Sequence, residues 1–130
     1  KKSAADFVQP DIVQVEGILE QKKIAAMADA NYVSICPHNP WGPIQTAANV
    51  QVDITCTNFL IQEMLDEFMM PWQNDFLEYP LKVEGGYIHI PERPGLGVGN
   101  LKEETMSDHP PNPPGESYKS KFERDPSTKF

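Results

Sequence analysis

The sequence predicts an α/β fold in which consecutive βα units form a parallel sheet. Three short apolar segments typical of buried strands recur about 26 residues apart, and the stretches between them have helical periodicity. Strand, helix, strand, helix, strand is the order of neighbouring βα units on one parallel sheet. A polar residue follows each predicted strand, namely Asp11, His38 and Glu63. In (β/α)₈ barrels the active site is built at that end of the strands.

The first predicted unit joins a strand at 7–9 to a helix at 17–30. The apolar face of that helix is predicted to comprise Ile18, Leu19, Lys22, Ile24, Ala25, Met27 and Ala28. The second strand, at 32–36, ends at Pro37, and Pro43 suits the first turn of a second helix at 44–53. A third strand is predicted at 59–62, directly before Glu63.

After residue 63 the pattern changes. Residues 81–90 alternate apolar and polar side chains around Gly85 and Gly86, which predicts a β-hairpin. The glycine-rich run at 94–99 lacks the ending of a phosphate loop, and we expect a close-packed turn there. Four prolines between 108 and 117 predict an extended tail, either without a fixed fold or packed along a neighbouring surface. We therefore divide the chain into barrel units (1–63), a C-terminal extension (64–106) and a tail (107–130).

Composition excludes several classes of protein. The formal net charge is −8 and the basic residues are scattered, which argues against nucleic-acid binding. Apolar runs are too short for a membrane span, and nothing at the start resembles a secretion leader. Cys36 and Cys56 lie in apolar stretches without a CxxC motif, so we expect reduced packing residues in a cytoplasmic protein.

Asp11 and His38 are separated by one βα unit, so a parallel sheet would make them neighbours. A carboxylate beside an imidazole fixes its tautomer, and such a histidine can take or give a proton near neutral pH. Each has a simpler alternative: Asp11 could cap a turn, and His38 could bond only to backbone. Glu63, at the next strand end, could donate a hydrogen bond to a developing oxyanion or be a solvated loop acid.

Several motifs occur in a fixed order over residues 7–100. They are Gln9-Pro10-Asp11, Pro37-His38-Asn39-Pro40, Gly42-Pro43-Ile44, Asn58-Phe59 and Gln62-Glu63, followed by Pro94-Gly95-Leu96-Gly97-Val98. This set resembles the mandelate racemase branch of the enolase superfamily, and the loop 37–43 is similar to that of galactonate dehydratases. The resemblance implies the last βα units of a (β/α)₈ (TIM) barrel, with the extension and its hairpin completing a cap.

The resemblance also implies a reaction. In this family a sugar acid binds Mg²⁺ through its carboxylate, a base removes the neighbouring proton, and the β-hydroxyl leaves as water to give a 2-keto-3-deoxy acid. His38 with Asp11 matches the family's His–Asp dyad, and Glu63 matches the acid that bonds a carboxylate oxygen of the intermediate. Two alternatives remain: a racemase or epimerase of a hydroxy acid, and a non-catalytic fragment.

Two further positions leave alternatives open. Trp41, in the loop after His38, could pack over the substrate, line a subunit contact, or simply pack from the loop onto the core. Glu16 stands where many relatives carry glycine, and could alter the mouth of the site or be a solvated acid at the helix start.

A closed barrel needs about 250 residues. The family's metal ligands lie on earlier strands, so the resemblance places the Mg²⁺ ligands outside this chain. We expect the remainder of the enzyme to come from another chain or a preceding segment, with the 130-residue chain inactive alone. The resemblance further implies a homo-oligomer whose ligand is a small sugar acid.

Overall fold

The computed structural model describes residues 4–65 and 71–109. Its strands are β1 (Phe7–Val8), β2 (Ser34–Ile35), β3 (Val83–Glu84) and β4 (Tyr87–Ile88). Its helices are α1 (Ile18–Asp29), α2 (Pro43–Asp53) and α3 (Glu103–Asp108), with a 3₁₀ helix at Pro71–Asn74. The α/β character predicted from the sequence is confirmed.

Three chain segments lie side by side in parallel. β1 pairs with β2, with Phe7 opposite Ser34 and Val8 opposite Ile35. On the other side of β2, Phe59 forms an isolated parallel bridge to Ile35. The third predicted strand, at 59–62, is therefore reduced to a single bridge at Phe59.

The second strand starts later than predicted. Tyr32 is exposed and has a φ of 58°, in the left-handed region, and its N–H donates to Asp29 O at 2.9 Å. Tyr32 therefore belongs to the turn that ends α1, and β2 begins at Ser34.

Helix α1 packs against β2 and α2 through a narrow face. Its buried residues are Gln21, Ala25 and Ala28, spaced four and three apart, as one helical face requires. The prediction that Ile18, Leu19 and Met27 belong to the buried face is wrong, because all three are exposed. Lys22, predicted on the same face, is exposed as well. Small residues let α1 lie close to the sheet, and the two alanines pack on Ile35 in the first core cluster.

Helix α2 begins at Pro43, one residue before the predicted start at 44, with the proline in its first turn as expected, and connects the βα units to the extension. Ala47 of α2 packs with Leu77 and Val98 in a second core cluster. Leu77 also forms an antiparallel bridge to Leu101. The extension is thus anchored on the helix that follows His38, which fixes it relative to the candidate site.

The predicted hairpin is confirmed. β3 and β4 are antiparallel, and Gly85 and Gly86 have φ values of 60° and 83°, as a tight turn of this kind requires. The glycine-rich run is also close-packed: a Cβ at Gly97 would lie 2.2 Å from Pro91 Cβ, so no other residue fits there.

Other expectations concern the cysteines, the membrane and the tail. Cys36 and Cys56 are both free, and Cys36 is buried. Within the described ranges, no helix has the length and apolarity needed to cross a bilayer. Helix α3 crosses the proposed boundary at 106, and residues 66–70 and 110–130 lie outside the described structure. The domain division and the character of the tail therefore stay predictions.

Candidate active site

The register of the parallel sheet brings Asp11 and His38 together. Each residue lies three positions beyond the end of its strand, and the two form a parallel bridge. The backbone N–H of His38 donates to the Pro10 carbonyl oxygen at 3.1 Å. The ladder that pairs β1 with β2 thus continues far enough to set both side chains at one edge.

The Asp11 carboxylate accepts five hydrogen bonds. Oδ1 accepts from the backbone N–H groups of Val13 (2.9 Å) and Gln14 (3.2 Å) and from Gln45 Nε2 (3.1 Å). Oδ2 accepts from His38 Nδ1 (2.9 Å) and Trp41 Nε1 (2.9 Å). Burial alone would raise the pKa of Asp11, but the bonds from His38, the two backbone N–H groups and Trp41 together hold that pKa below its usual value. Asp11 is therefore an anion at neutral pH.

An ionised Asp11 determines the protonation of the His38 ring. Because the carboxylate can only accept, the ring atom facing it, Nδ1, carries a proton. In the neutral imidazole this leaves the lone pair on Nε2, on the side away from Asp11. The His38 side chain is 41% exposed and that of Asp11 is 6% exposed, so the imidazole is the accessible member of the pair.

Glu63 lies next to the open side of the His38 ring. Its Oε2 is 3.9 Å from His38 Nε2, too long for a hydrogen bond, and accepts one from the Asn39 backbone N–H at 2.7 Å. The Glu63 side chain is 31% exposed. The structure thus places the imidazole between two carboxyl groups, the juxtaposition predicted from the spacing of the strand ends.

Sequence reasoning missed the buried polar residues that support these three side chains. Asn39 is fully buried, and its Nδ2 donates to Glu63 O at 2.9 Å and Thr46 Oγ1 at 2.8 Å. Gln45 touches Asp11, and Asn49 donates to Asn39 Oδ1 at 3.3 Å. A polar run at 45, 46 and 49 in an otherwise Ala- and Val-rich helix was the signal that could have identified them.

Trp41 contacts Asp11 rather than the core. Its indole N–H donates to Asp11 Oδ2, and its ring is 62% exposed. The indole thus lies beside the carboxylate with its surface free to meet another molecule. A contact between Trp41 and substrate stays a prediction.

Glu16 has a φ of 69°, in the left-handed region that glycine tolerates best. Glu16 is exposed and directly precedes Gly17, the N-cap of α1. The backbone therefore explains why glycine suits this position, whatever the side chain does.

No metal site is complete within residues 4–65 and 71–109. No three His, Cys, Asp or Glu side chains there are placed to hold an ion. The donors around His38 are instead amide and indole N–H groups, which bind anions rather than cations. The described residues therefore do not fit a Mg²⁺ site by themselves.

Comparison with known proteins assigns the family. The family model described as enolase C-terminal domain-like matches residues 1–104. The chain belongs to this family. Within it, the chain is galactonate dehydratase-like, as the sequence motifs indicated.

Named relatives include dehydratases of several sugar acids. The chain is 43% identical over 94 residues to a D-gluconate/D-galactonate dehydratase of Picrophilus torridus, covering 72% of this chain and 24% of that protein. It is 37% identical over 95 residues to a D-xylonate dehydratase of Haloferax volcanii, covering 73% and 23%. The chain thus spans about a quarter of the length of the curated relatives it matches.

A solved structure shares the fold. An enolase from Pantoea ananatis with bound D-gluconate and Mg superposes with a TM-score of 0.71 at 30% identity. The match covers 79% of this chain and 25% of that one. The arrangement of βα units and extension is therefore that of a known family of enzymes.

Proposed function

We propose that this chain supplies the proton-transfer side of an acid-sugar dehydratase, a hydro-lyase that converts an aldonic or aldaric acid to a 2-keto-3-deoxy acid. The observation that carries the proposal is the His38 ring, held through Nδ1 by an ionised Asp11 and presenting Nε2 beside Glu63. A histidine fixed in one tautomer, with one nitrogen accessible, is suited to general acid–base chemistry.

In the proposed reaction Nε2 takes the proton from the carbon next to the substrate carboxylate. The imidazolium then carries N–H groups on both ring atoms, and Asp11 stabilises the positive charge through Nδ1. The Nε2–H can return its proton to the departing β-hydroxyl, which leaves as water. The enol that remains becomes the 2-keto-3-deoxy product, so atoms and charge balance.

Glu63 is proposed to act on the substrate carboxylate. Oε2 is held by the Asn39 N–H, so the carboxyl group has a fixed orientation beside the reacting face. In its acid form it can donate a hydrogen bond to a carboxylate oxygen, where negative charge grows as the proton leaves. Mg²⁺, bound in the relative from Pantoea ananatis, would neutralise charge on the same carboxylate, with ligands from outside this chain.

We also propose that other barrel strands, from a preceding segment or another chain, cover the sheet. Phe7, Leu60 and Ile61 are exposed apolar residues on and beside the sheet. Exposed apolar surface of this kind marks a contact site. An even homo-oligomer and a sugar acid as ligand belong to the same proposal.

The first prediction concerns turnover. The full-length protein, supplied with Mg²⁺, should convert at least one of D-galactonate, D-gluconate or D-xylonate to a 2-keto-3-deoxy acid, measured by a colour reaction for such products. In D₂O the proton next to the carboxylate should also exchange. Exchange without a 2-keto-3-deoxy product would instead identify a racemase or epimerase. If a broad panel of acids gives neither exchange nor product, both the dehydratase and the racemase or epimerase assignments are contradicted.

The second prediction concerns Glu63. Glu63→Gln should lower kcat/KM by about 100-fold, because the amide can accept from the Asn39 N–H but donates only a weaker hydrogen bond to the oxyanion. Steady-state kinetics on the best substrate checks this. Glu92→Gln, an exposed position in the extension, is the matched control and should stay within about twofold of the parent. Equal activity in both variants would remove Glu63 from the mechanism.

A further inference from the structure

We propose that Gln45 is a positioning residue that holds Asp11 and His38 in one arrangement, an inference that rests on the proposed function. Gln45 lies in the first turn of α2 and is 5% exposed. Its Nε2 donates to Asp11 Oδ1 at 3.1 Å and to the His38 carbonyl at 3.0 Å. One amide group from a helix thus contacts both members of the proton-transfer pair.

The orientation of the Gln45 amide is fixed by its surroundings. Both Nε2 hydrogens have acceptors, and Oε1 accepts the backbone N–H of Trp41 at 2.8 Å. Turning the amide over would place its oxygen against the Asp11 carboxylate and its NH₂ group against an N–H, so the flipped state is excluded. In the observed state both donors and the acceptor oxygen of the side chain are therefore hydrogen-bonded.

The hydrogen bonds of Gln45 connect two chain segments that the parallel sheet alone joins only weakly. Asp11 follows β1, whereas His38 and Trp41 belong to the loop between β2 and α2. The strands themselves are two residues long, and beyond them the register depends on the Asp11–His38 bridge. Gln45 forms hydrogen bonds to both residues of that bridge, so the distance between His38 Nδ1 and Asp11 Oδ2 depends on Gln45 as well as on the strands.

The burial of Gln45 explains why its amide must be hydrogen-bonded, but it does not explain why the partners are Asp11 and His38. A buried amide must be hydrogen-bonded, since leaving one unpaired costs about 1–3 kcal/mol. Gln21 meets only part of that requirement: its Nε2 donates to Asn49 Oδ1 at 3.0 Å, and its Oε1 has no hydrogen-bond partner among the described residues. Gln45 instead uses both donors on the pair that the reaction needs, and small displacements there cost about 10²-fold in rate.

The test uses two variants of the full-length protein. Gln45→Met keeps the size of the side chain and removes all three hydrogen bonds. We expect kcat to fall about 10- to 100-fold with KM changed less than about threefold, because the substrate contacts remain while Asp11 and His38 lose the hydrogen bonds that position them. Gln45→Glu should lose more activity at pH 8 than at pH 6, because the groups facing the new carboxylate are Asp11 and His38, and its acid form can still donate to Asp11.

Asn58→Leu is the matched control, since it also removes an amide that donates two hydrogen bonds, here to Ala25 O at 3.1 Å and Val33 O at 2.9 Å, without touching Asp11 or His38. It should keep kcat and the pH profile of the parent, whatever its unfolding temperature. A Gln45→Met protein with kcat within about twofold of the parent, or one whose kcat merely matches that of Asn58→Leu, would overturn the proposal.

A crystal structure of Gln45→Met separates this proposal from the proposed function. The distance between His38 Nδ1 and Asp11 Oδ2, 2.9 Å here, should lengthen or take several values. An unchanged distance would overturn the positioning role even if the variant is slow. If the parent neither dehydrates a sugar acid nor exchanges its proton, the proposed function fails, and this distance still decides the role of Gln45.

Discussion

Replacing His38 with Asn should lower turnover of the best sugar acid by about 10³-fold or more, with KM changed only a few-fold. An asparagine N–H can still donate to Asp11 Oδ2 in place of Nδ1, so the carboxylate stays satisfied and the fold is kept. The amide cannot take a proton, and positioned acid–base groups contribute about 10²- to 10⁴-fold. Steady-state kinetics and proton exchange in D₂O should fall together, because both need the same proton transfer.

His89→Asn provides the control for that experiment. His89 is an exposed histidine of the hairpin region, with its Nε2 3.4 Å from Glu84 Oε2. Its replacement should leave kcat within about twofold of the parent. Full activity in His38→Asn would contradict the catalytic assignment. It would favour the remaining alternative, in which this part of the chain has only a structural role.

The position of the acid–base residues could be predicted from spacing because a parallel sheet converts sequence period into spatial proximity. Asp11 and His38 are one βα unit apart, and the bridge between them follows from the same register as β1 and β2. Glu63 follows for the same reason, although its strand is only a bridge at Phe59. The predicted positions depend only on where the strands end, and not on how long the strands are.

The polar run at 45, 46 and 49 could have marked the supporting residues as candidates, but the side chains that they contact could not be predicted, because those contacts depend on the rotation of each helix about its axis. Gln45 and Asn49 face the His38 loop, a face that hydrophobicity alone would assign to the surface. The same uncertainty explains the error on α1, where Gln21 is buried and Leu19 is exposed. Hydrogen-bond partners in other segments decide these orientations, and no local pattern contains them.

Replacing Asp53 with Asn should stabilise the protein at pH 8 by up to about 4 kcal/mol and change little near pH 4. Asp53, the last residue of α2, is 7% exposed, and neither carboxyl oxygen has a hydrogen-bond partner among the described residues. Burial raises the pKa of Asp53 from 3.8 to about 7. Below pH 4 the group is protonated in both states. Between pH 4 and 7 only the unfolded chain ionises, which progressively disfavours the folded state, and above 7 the full penalty of about 4 kcal/mol applies.

The measurement is the unfolding midpoint of parent and variant between pH 4 and pH 8. Asp29, the last residue of α1, is exposed, so Asp29→Asn is the matched control and should shift stability little at any of these pH values. Asp53 is among the residues that line a largely apolar pocket of about 490 Å³ between α2, the 59–64 segment and the hairpin, and its carboxyl oxygens are buried behind that lining. A basic residue entering that pocket from the rest of the enzyme would reverse the result, since Asp53→Asn would then lose an ion pair and destabilise the protein at pH 8. The sign of the change thus shows whether the remainder of the protein brings a cation to this face.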